Sequence, residues 1–233
     1  MLDIIYEDDD KIILNKPSGQ LSQGGKSLEM DLVSEVLTYR KKKGEDVYAA
    51  IINRLDRPVS GLVLMAKNKK EAARLSALMQ KESFCKHYQV LVCGKPEADD
   101  GELVDNLLKD GKNNISSVVP KGTPGAKEAR LRYHLISYDE KLDVSMLDIY
   151  LITGRHHQIR VQLASRNMPV VGDGKYGGAR ATDALVAINK TDDAAGATQR
   201  KHIKRGSIAL SAVSLTIERK TYEVAPEFLY CNK

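Results

Sequence analysis

Apolar and polar positions follow two periods along the chain, and each period predicts one kind of element. In residues 145–152, apolar side chains alternate with Asp148 and Tyr150. Successive side chains of a strand point to opposite faces, so this period of two predicts a half-buried strand. Shorter apolar or alternating runs predict further strands at residues 12–14, 62–66, 87–92, 131–138, 207–217 and 222–224.

Apolar residues that recur at helical spacing predict three helices. They cover residues 27–39, 69–81 and 156–165. Two stretches show neither period. Residues 109–127 are rich in Gly, Asn, Lys and Pro, and residues 177–206 are rich in Ala, Asp and Lys. We interpret both stretches as irregular excursions of the same domain.

The order of these elements predicts the fold class. The strands are not separated by regular helices, which argues against a parallel sheet built from strand–helix–strand units. An α+β fold fits better, with a mixed, largely antiparallel sheet flanked by helices. The length of 233 residues allows one sizeable domain or two small ones, and we predict a single domain over residues 1–233.

Composition and charge narrow the function only a little. A hydrophobic content of 42% and a charged content of 29% are typical of globular proteins. The net charge of +5 permits a polyanionic partner without requiring one. Three basic clusters, at residues 40–43, 67–70 and 200–205, favour contacts with phosphate groups.

Several classes of protein are disfavoured by features that the sequence lacks. No apolar run approaches the ~20 residues that span a membrane, and the first residues do not resemble a signal peptide. Cys85, Cys93 and Cys231 are odd in number and are not spaced for a zinc site. The sequence therefore predicts a cytoplasmic protein with neither a bound metal nor a disulfide framework.

The most informative motif is at residues 53–61, which read NRLDRPVSG. It places the carboxylate of Asp56 between Arg54 and Arg57, in a turn directly before an apolar strand. Nearby cations favour the charged form of a carboxylate, and loops on a rigid scaffold often carry binding and catalytic groups. The motif suggests a nucleophile or an anion-facing site, although on its own a surface turn with salt bridges would explain it better.

Further blocks accompany this motif. Residues 15–19 read NKPSG, residues 86–92 read KHYQVLV, residues 153–161 read TGRHHQIRV, and residues 169–177 contain PVVGD and YG. With these blocks in this order, the sequence resembles the RluA-type RNA pseudouridine synthases from about residue 6 to residue 228. The resemblance implies the pseudouridine synthase fold and the isomerisation of specific uridines in structured RNA to pseudouridine.

The resemblance also implies three catalytic residues. Asp56 matches the catalytic carboxylate, Tyr88 matches the tyrosine beside the target base, and Arg160 matches the arginine that pairs with the aspartate. In that role Arg160 would hold Asp56 ionised and correctly aimed. Ribosyl-ester, ring-adduct and glycal routes all use the carboxylate, and the sequence leaves all three open.

A uridine that is stacked in folded RNA cannot reach Asp56, so the nucleotide must flip out. The resemblance implies that Arg54 fills the space that the base leaves. Asn53 stands where the family usually has His, a departure that concerns local packing or a backbone contact. Further contacts with RNA are predicted for Arg57, Arg155, Lys201, Lys204 and Arg205.

The resemblance has consequences for partners and cofactors. The isomerisation involves no redox change and no group donor, so no cofactor is predicted. The expected partner is RNA, with rRNA and tRNA both open, and the protein is expected to act as a monomer away from membranes. The family's S4-type RNA-binding domain is not expected ahead of a catalytic block that begins near residue 6.

Three other functions compete with this interpretation. Residues 19–27 nearly form a nucleotide-binding P-loop, but Gly25 occupies the position where that motif requires lysine. A catalytically silent RNA-binding protein would be favoured by the loss of Asp56, Tyr88 or Arg160, and all three are present. A glycosidase that uses Asp56 and a water would release uracil, whereas an isomerase conserves mass.

Overall fold

The computed structural model describes residues 2–24, 30–81, 83–194, 203–204 and 206–228. Contacts within the chain divide it into two compact units. The first unit comprises Met1–Cys85 and Ala212–Pro226, and the second comprises Lys86–Ser211 and Glu227–Lys233. The prediction of one catalytic domain over residues 1–233, without an S4-type domain, stays a prediction.

The first unit contains short strands and two helices. The strands are β1 (Ile4–Glu7), β2 (Lys11–Lys16), β3 (Ala50–Ile51), β4 (Ser60–Ala66) and most of β10 (Leu210–Ile217), with β11 (Lys220–Glu223). The helices are α1 (Leu32–Lys42) and α2 (Lys69–Leu78). β2 pairs antiparallel with β1 and β4, β3 pairs with β4, and β10 pairs with β11.

The core of the first unit is built around β4. All seven residues of β4 are buried, because the run SGLVLMA offers small or apolar side chains to both faces. Leu62 and Leu64 pack in one cluster with Leu75 of α2 and Leu215 of β10. This packing fixes the strand that directly follows the Asp56 motif.

The second unit is a long antiparallel sheet with two helices. Its strands are most of β5 (Phe84–Cys93), β6 (Asp100–Asp110), β7 (Ile115–Val119), β8 (Lys127–Asp139) and β9 (Val144–Leu151), in the order β5-β9-β8-β6-β7. The helices are α3 (Gln158–Ala164) and α4 (Gly178–Ala194). The α+β class with a largely antiparallel sheet is confirmed.

The alternation that predicted β9 is also confirmed. Leu147 and Ile149 are fully buried, whereas Tyr150 between the apolar positions is half exposed. Tyr88 of β5 lies opposite Ile149 in the antiparallel ladder. Tyr88, a predicted site residue, is therefore in register with Ile149 of the core.

Two predictions of irregular structure are wrong. Residues 109–127 include the end of β6, all of β7 and the start of β8, because the Gly, Asn and Pro residues are confined to the two turns that join these strands. In the first of these turns the carboxylate of Asp110 accepts hydrogen bonds from the backbone N–H groups of Lys112 and Asn113. Residues 177–206 include α4, whose Ala181 and Ile188 are buried in an apolar cluster.

The boundaries of the predicted helices also change. α1 begins at Leu32 because the side chain of Asp31 caps it by accepting from the N–H of Ser34. α3 begins at Gln158 and not at residue 156, because His157 has a left-handed backbone with φ of 54°. Within the described residues, no helix is long and apolar enough to cross a membrane.

Candidate active site

The Asp56 motif forms the loop between β3 and β4 in the first unit. The N–H of Val59 donates to the backbone carbonyl of Asp56 at 3.0 Å and closes a turn that contains Pro58. Leu55 is buried, Arg57 is exposed, and Asp56 between them is half-buried. The carboxylate therefore lies where the chain passes from the core to the surface.

The residue before Asp56 is fixed by a serine. The Oγ of Ser22 donates to the carbonyl of Leu55 at 2.7 Å, and the N–H of Leu55 donates back to that Oγ at 3.2 Å. Both atoms belong to buried residues. Since buried backbone groups need partners, one hydroxyl satisfies both polar groups of Leu55.

The residue after Asp56 is fixed by the turn that follows β2. The N–H of Gly19 donates to the carbonyl of Arg57 at 2.7 Å, and the Nε of Arg57 donates to the carbonyl of Gly19 at 2.8 Å. The fully buried Lys16 donates from its Nζ to the same Arg57 carbonyl at 3.4 Å, and also to the carbonyls of Pro17 and Gln20. The NKPSG block therefore supports the backbone of the loop next to Asp56.

Asn53 is the position at which the motif departs from the family pattern. Its Nδ2 donates to the carbonyl of Leu62 at 3.0 Å, and its Oδ1 accepts from the N–H of Leu64 at 2.8 Å. The buried amide therefore joins the loop to β4 with one donor and one acceptor. Asn53 thus makes backbone contacts at the position where the family usually has His.

Gly61 allows β4 to begin beside β10. Its φ of +111° is a conformation that favours glycine, and a Cβ at this position would overlap the backbone of Ala212. Gly61 also pairs with Lys16 in the ladder between β2 and β4. The last residue of the motif therefore serves the close approach of two backbones.

The predicted catalytic residues of the second unit lie on β5 and α3. Tyr88 is buried on β5, with 6% of its surface exposed. Arg160 is buried on α3 with 5% exposed. Asp56 belongs to the first unit, and its predicted pairing with Arg160 stays a prediction.

Arg160 has a partner that sequence reasoning missed. Its Nε and Nη2 donate to the two carboxylate oxygens of Asp173, at 2.7 and 2.9 Å. Asp173 is 1% exposed, so this two-pronged ion pair is removed from water. In the sequence Asp173 is only one residue of the PVVGD block, and the spacing of thirteen residues from Arg160 gave no sign of this contact.

Tyr176 completes the surroundings of Arg160. Its ring centroid lies 5.1 Å from the guanidinium carbon, a cation–π contact. Its hydroxyl oxygen accepts from the N–H of Ser116 and lies 2.8 Å from the Nδ1 of His157. The arginine is thus held by an ion pair and an aromatic ring.

The predicted RNA-binding residues have different surroundings. Arg54 is exposed, and Arg155 is exposed with its Nε donating to the carbonyl of Glu128 at 2.7 Å. Lys204 is exposed and lies 3.7 Å from the carboxylate of Glu227. Lys201 and Arg205, which were predicted to bind RNA, lie outside the described residues.

A lysine that sequence reasoning did not single out lies two positions before Tyr88. Burial lowers the pKa of Lys86, and the positive charge of Arg155 lowers it further. The Nζ of Lys86 lies 3.3 Å from the point where a Cβ on Gly154 would be. Its weak signal in the sequence was its place on the same strand face as Tyr88.

No metal-ligand cluster accompanies these residues in the described parts of the chain. A group of three or more His, Cys, Asp or Glu side chains that could hold a metal ion is not found there. The arrangement instead offers a half-buried carboxylate in the first unit, and a buried phenol, a buried guanidinium and a lysine in the second. Those groups are suited to charge stabilisation and proton transfer.

Two solved structures of similar fold are those of human proteins. The chain matches human RNA pseudouridylate synthase domain containing 4 with a TM-score of 0.74 at 19% identity, covering 96% of this chain and 88% of that one. Human RNA pseudouridylate synthase domain containing 1 gives a TM-score of 0.69 at 19% identity, covering 96% and 82%. At this identity the likeness establishes the fold, which is that of pseudouridine synthases.

Sequence comparison establishes the family. Residues 10–165 match the model of the RNA pseudouridylate synthase family. The chain is 33% identical over 174 residues to ribosomal large subunit pseudouridine synthase C of Rickettsia bellii, covering 75% of this chain and 56% of that protein. The corresponding protein of Vibrio cholerae is 32% identical over 177 residues, covering 76% and 53%. The chain belongs to the RNA pseudouridylate synthase family, and it spans about half the length of these curated relatives.

Proposed function

We propose that this protein is an RNA pseudouridine synthase, an isomerase that converts specific uridines in structured RNA to pseudouridine. The observation that carries the proposal is the family match over residues 10–165, which contains Asp56, Tyr88 and Arg160. The reaction breaks the bond from ribose C1′ to N1 of uracil and forms a bond from C1′ to C5. It needs no oxidant, reductant or group donor, and so no cofactor is part of the proposal.

In this proposal Asp56 is the catalytic carboxylate. Its half-buried position lets a nucleotide approach, and the residues on both sides are fixed by hydrogen bonds from Ser22 and Gly19. A group held in place before the substrate arrives does not have to be ordered during the reaction. The carboxylate acts on C1′ or on the pyrimidine ring, so the ester, ring-adduct and glycal routes stay open.

Tyr88 and Arg160 have supporting catalytic roles. The phenol of Tyr88 stacks against the target base and relays a proton, and the guanidinium of Arg160 keeps the Asp56 carboxylate ionised. Support for the role of Arg160 comes from its two-pronged pairing with Asp173 and from Tyr176, which together fix the guanidinium plane. A fixed, fully charged group stabilises a carboxylate without the cost of ordering itself.

The proposed substrate is a flipped-out uridine of rRNA or tRNA. Several relatives are named for the ribosomal large subunit, which favours large-subunit rRNA. Arg54 would occupy the gap that the flipped base leaves, and its exposure on the loop supports that role. Phosphate contacts are proposed for Arg57, Arg155, Lys201, Lys204 and Arg205, and the protein is proposed to act as a monomer in the cytoplasm.

The first test replaces the carboxylate. Asp56→Asn should abolish pseudouridine formation, while RNA binding survives because affinity comes mainly from phosphate contacts. Pseudouridine would be mapped in total RNA from cells that carry the wild-type gene, the variant gene or no gene. Residual activity above about one percent of wild type, the scale of a ~3 kcal/mol loss, would remove Asp56 from its assigned role.

A second test asks whether Asp56 and Arg160 act as one unit. Arg160→Met should reduce turnover by orders of magnitude with little loss of RNA affinity, because the carboxylate loses the cation that aims it. Arg160→Lys should recover only part of the activity, since an ammonium lacks the planar fork. Combining Arg160→Met with Asp56→Asn should be no worse than Asp56→Asn alone. Additive losses would mean that Arg160 acts elsewhere.

A further inference from the structure

Lys86 is a partly buried cation without an acidic partner. Among the described residues, no carboxylate pairs with its Nζ, and the charged group that acts on it is another cation, Arg155. The Nζ extends over Gly154, whose missing side chain leaves room beside it. A positive charge kept partly out of water without compensation costs free energy, unless an anion binds there.

A second buried lysine, Lys67, shows how a structural cation is neutralised in this protein. Lys67 in the first unit is 5% exposed, and its Nζ lies 2.9 Å from Glu7 and 3.1 Å from Glu45. Burial alone would lower the pKa of Lys67, but the two carboxylates outweigh burial and raise it. No carboxylate in the described part of the chain neutralises Lys86 in this way, so Lys86 differs from a lysine that joins elements together.

Arg155 adds a second cation at the same turn. Its backbone N–H donates to the side chain of Gln158 at 2.9 Å, and its Nε donates to the carbonyl of Glu128 at 2.7 Å. These bonds orient the guanidinium, while its terminal nitrogens pair with no carboxylate in the described part of the chain. The exposed turn at Gly154 therefore has an oriented guanidinium at Arg155 and the ammonium of Lys86 next to a residue without a side chain.

The position of Lys86 relates it to the proposed catalytic tyrosine. Lys86 and Tyr88 are two residues apart on β5, so both project from the same face of the strand, roughly 7 Å apart. An anion at Lys86 would then lie beside a base that stacks on Tyr88. That arrangement suits a nucleotide, because base and phosphate are attached to the same ribose.

We propose that Lys86, Gly154 and Arg155 form a binding site for a backbone phosphate of the RNA, next to the target uridine. The proposal rests on the proposed function, because it takes Tyr88 as the residue beside the base. Lysine supplies a compact point charge and arginine supplies a planar fork of donors, and phosphate accepts both. The site holds the ribose in place while the base is detached and turned.

The first test measures the Lys86 ammonium directly. Lysines of the whole protein are labelled with carbon-13 at Cε, and the pKa of Lys86 is followed by NMR in the free protein, with the trinucleotide UpUpU and with the nucleoside uridine. UpUpU should raise the pKa of Lys86, because its phosphates favour the charged form. Uridine, which carries no phosphate, should leave it unchanged. An unchanged pKa with saturating UpUpU would overturn the proposal.

The second test uses variants with a matched control. Lys86→Gln should weaken binding of UpUpU and reduce the slope of log affinity against log salt by about 0.7, the contribution of one phosphate contact on a single strand. Lys86→Arg should recover most of the slope. Lys141→Gln removes an exposed lysine from the turn at the far end of the β8–β9 hairpin and should leave the slope as in wild type. Equal slopes for Lys86→Gln and wild type would contradict the proposal.

A third variant separates the shape of the site from its charge. Gly154→Ala keeps both cations but places a methyl group 3.3 Å from the Nζ of Lys86. The φ of Gly154 is not in the left-handed region, and the residue is exposed, so the variant should fold. Its affinity for UpUpU should fall several-fold, and an undiminished affinity would count against a built site. If UpUpU shifts the pKa of Lys86 but cells without the gene keep all their pseudouridines, the phosphate site stands and the proposed function fails.

Discussion

The Asp56 loop and the Arg160 helix are held in place by different kinds of interaction. In the first unit, Leu55 and Arg57 are fixed through their backbone groups by Ser22 and Gly19. In the second unit, the guanidinium of Arg160 is fixed directly by a buried carboxylate. The hydrogen bonds to Leu55 and Arg57 thus order the backbone of the loop, whereas the ion pair on the helix orders a side chain.

This difference predicts how each region responds to mutation. Neutral hydrogen bonds contribute about 1 kcal/mol each to the free energy of unfolding, and several of them stabilise the Asp56 loop. The position of the Arg160 guanidinium depends instead on one buried ion pair between two residues. The loss of one partner leaves the charge of the other buried without it. We therefore expect the Arg160 site to fail through single substitutions and the Asp56 loop to weaken in steps.

The largest effect should come from removing the partner of Arg160. Asp173→Leu leaves a buried guanidinium without its carboxylate and should cost about 3–5 kcal/mol of unfolding free energy. The double variant Asp173→Leu with Arg160→Met should be more stable than Asp173→Leu alone, because it buries no unpaired charge. Urea unfolding of the three proteins measures both differences.

The outcome also separates stability from activity. The double variant should recover stability without recovering pseudouridine formation, since it lacks the guanidinium proposed to act in catalysis. A double variant that is as unstable as Asp173→Leu would show that the ion pair is not the main contribution of Asp173. The backbone N–H groups of Lys175 and Tyr176, which donate to its Oδ1, would then account for the loss.

A smaller effect should follow in the Asp56 loop from Asn53→Ala. This change removes the donor to the Leu62 carbonyl and the acceptor for the Leu64 N–H, and both lie in the buried strand β4. Leaving two buried backbone groups unpaired should cost about 2–3 kcal/mol. Urea unfolding measures the loss, and Asn53→His tests whether the family's usual residue fits this strand. A loss below about 0.5 kcal/mol for Asn53→Ala would mean that water replaces the amide.

Much of the fold could be predicted because its period is visible in the sequence. β4 and β9 combine strong apolar runs with clear boundaries, so their places follow from the pattern. β6 and β7 form an exposed hairpin with many polar side chains, and their turn residues made the whole stretch look irregular. The apolar face of α4 was overlooked for a similar reason, since alanine and charged residues make up most of the helix.

Only part of the candidate site could be predicted from the sequence. Motif order indicated Asp56, Tyr88 and Arg160, because residue type and sequence context are one-dimensional properties. The pairing of Arg160 with Asp173 was not predictable, because several acidic residues compete for one guanidinium and only packing selects among them. The lowered pKa of Lys86 depends on its burial, which the residue type does not reveal.

The charged network at the edge of the first unit should make stability depend on pH. Hydrogen bonds from Lys43, Lys67 and Arg40 lower the pKa of Glu45 to about 2 from 4.5. A carboxylate with a lowered pKa stabilises the fold above its unfolded pKa, and this contribution is lost as the pH falls from 4.5 to about 2. The effect should be smaller than that of Asn53→Ala because water screens the network.

Unfolding measured between pH 6 and pH 2 tests this contribution. Glu45→Gln should flatten the loss of stability at acid pH, whereas Glu223→Gln, an exposed control on β11, should not. Glu7 shares the network through Lys67, so part of the acid dependence should remain in Glu45→Gln. Identical acid profiles for Glu45→Gln and wild type would show that the network contributes nothing.

The smallest effect should come from the hydroxyl of Tyr176. Tyr176→Phe removes its contacts with the Ser116 N–H and the His157 ring, but keeps the aromatic face over Arg160. Stability should fall by about 1 kcal/mol, and turnover should change only a few-fold, because Asp173 still orients the guanidinium. Tyr176→Leu removes the ring as well and should reduce turnover further, through the lost cation–π contact. Equal turnover for the two variants would mean that the ion pair alone positions Arg160.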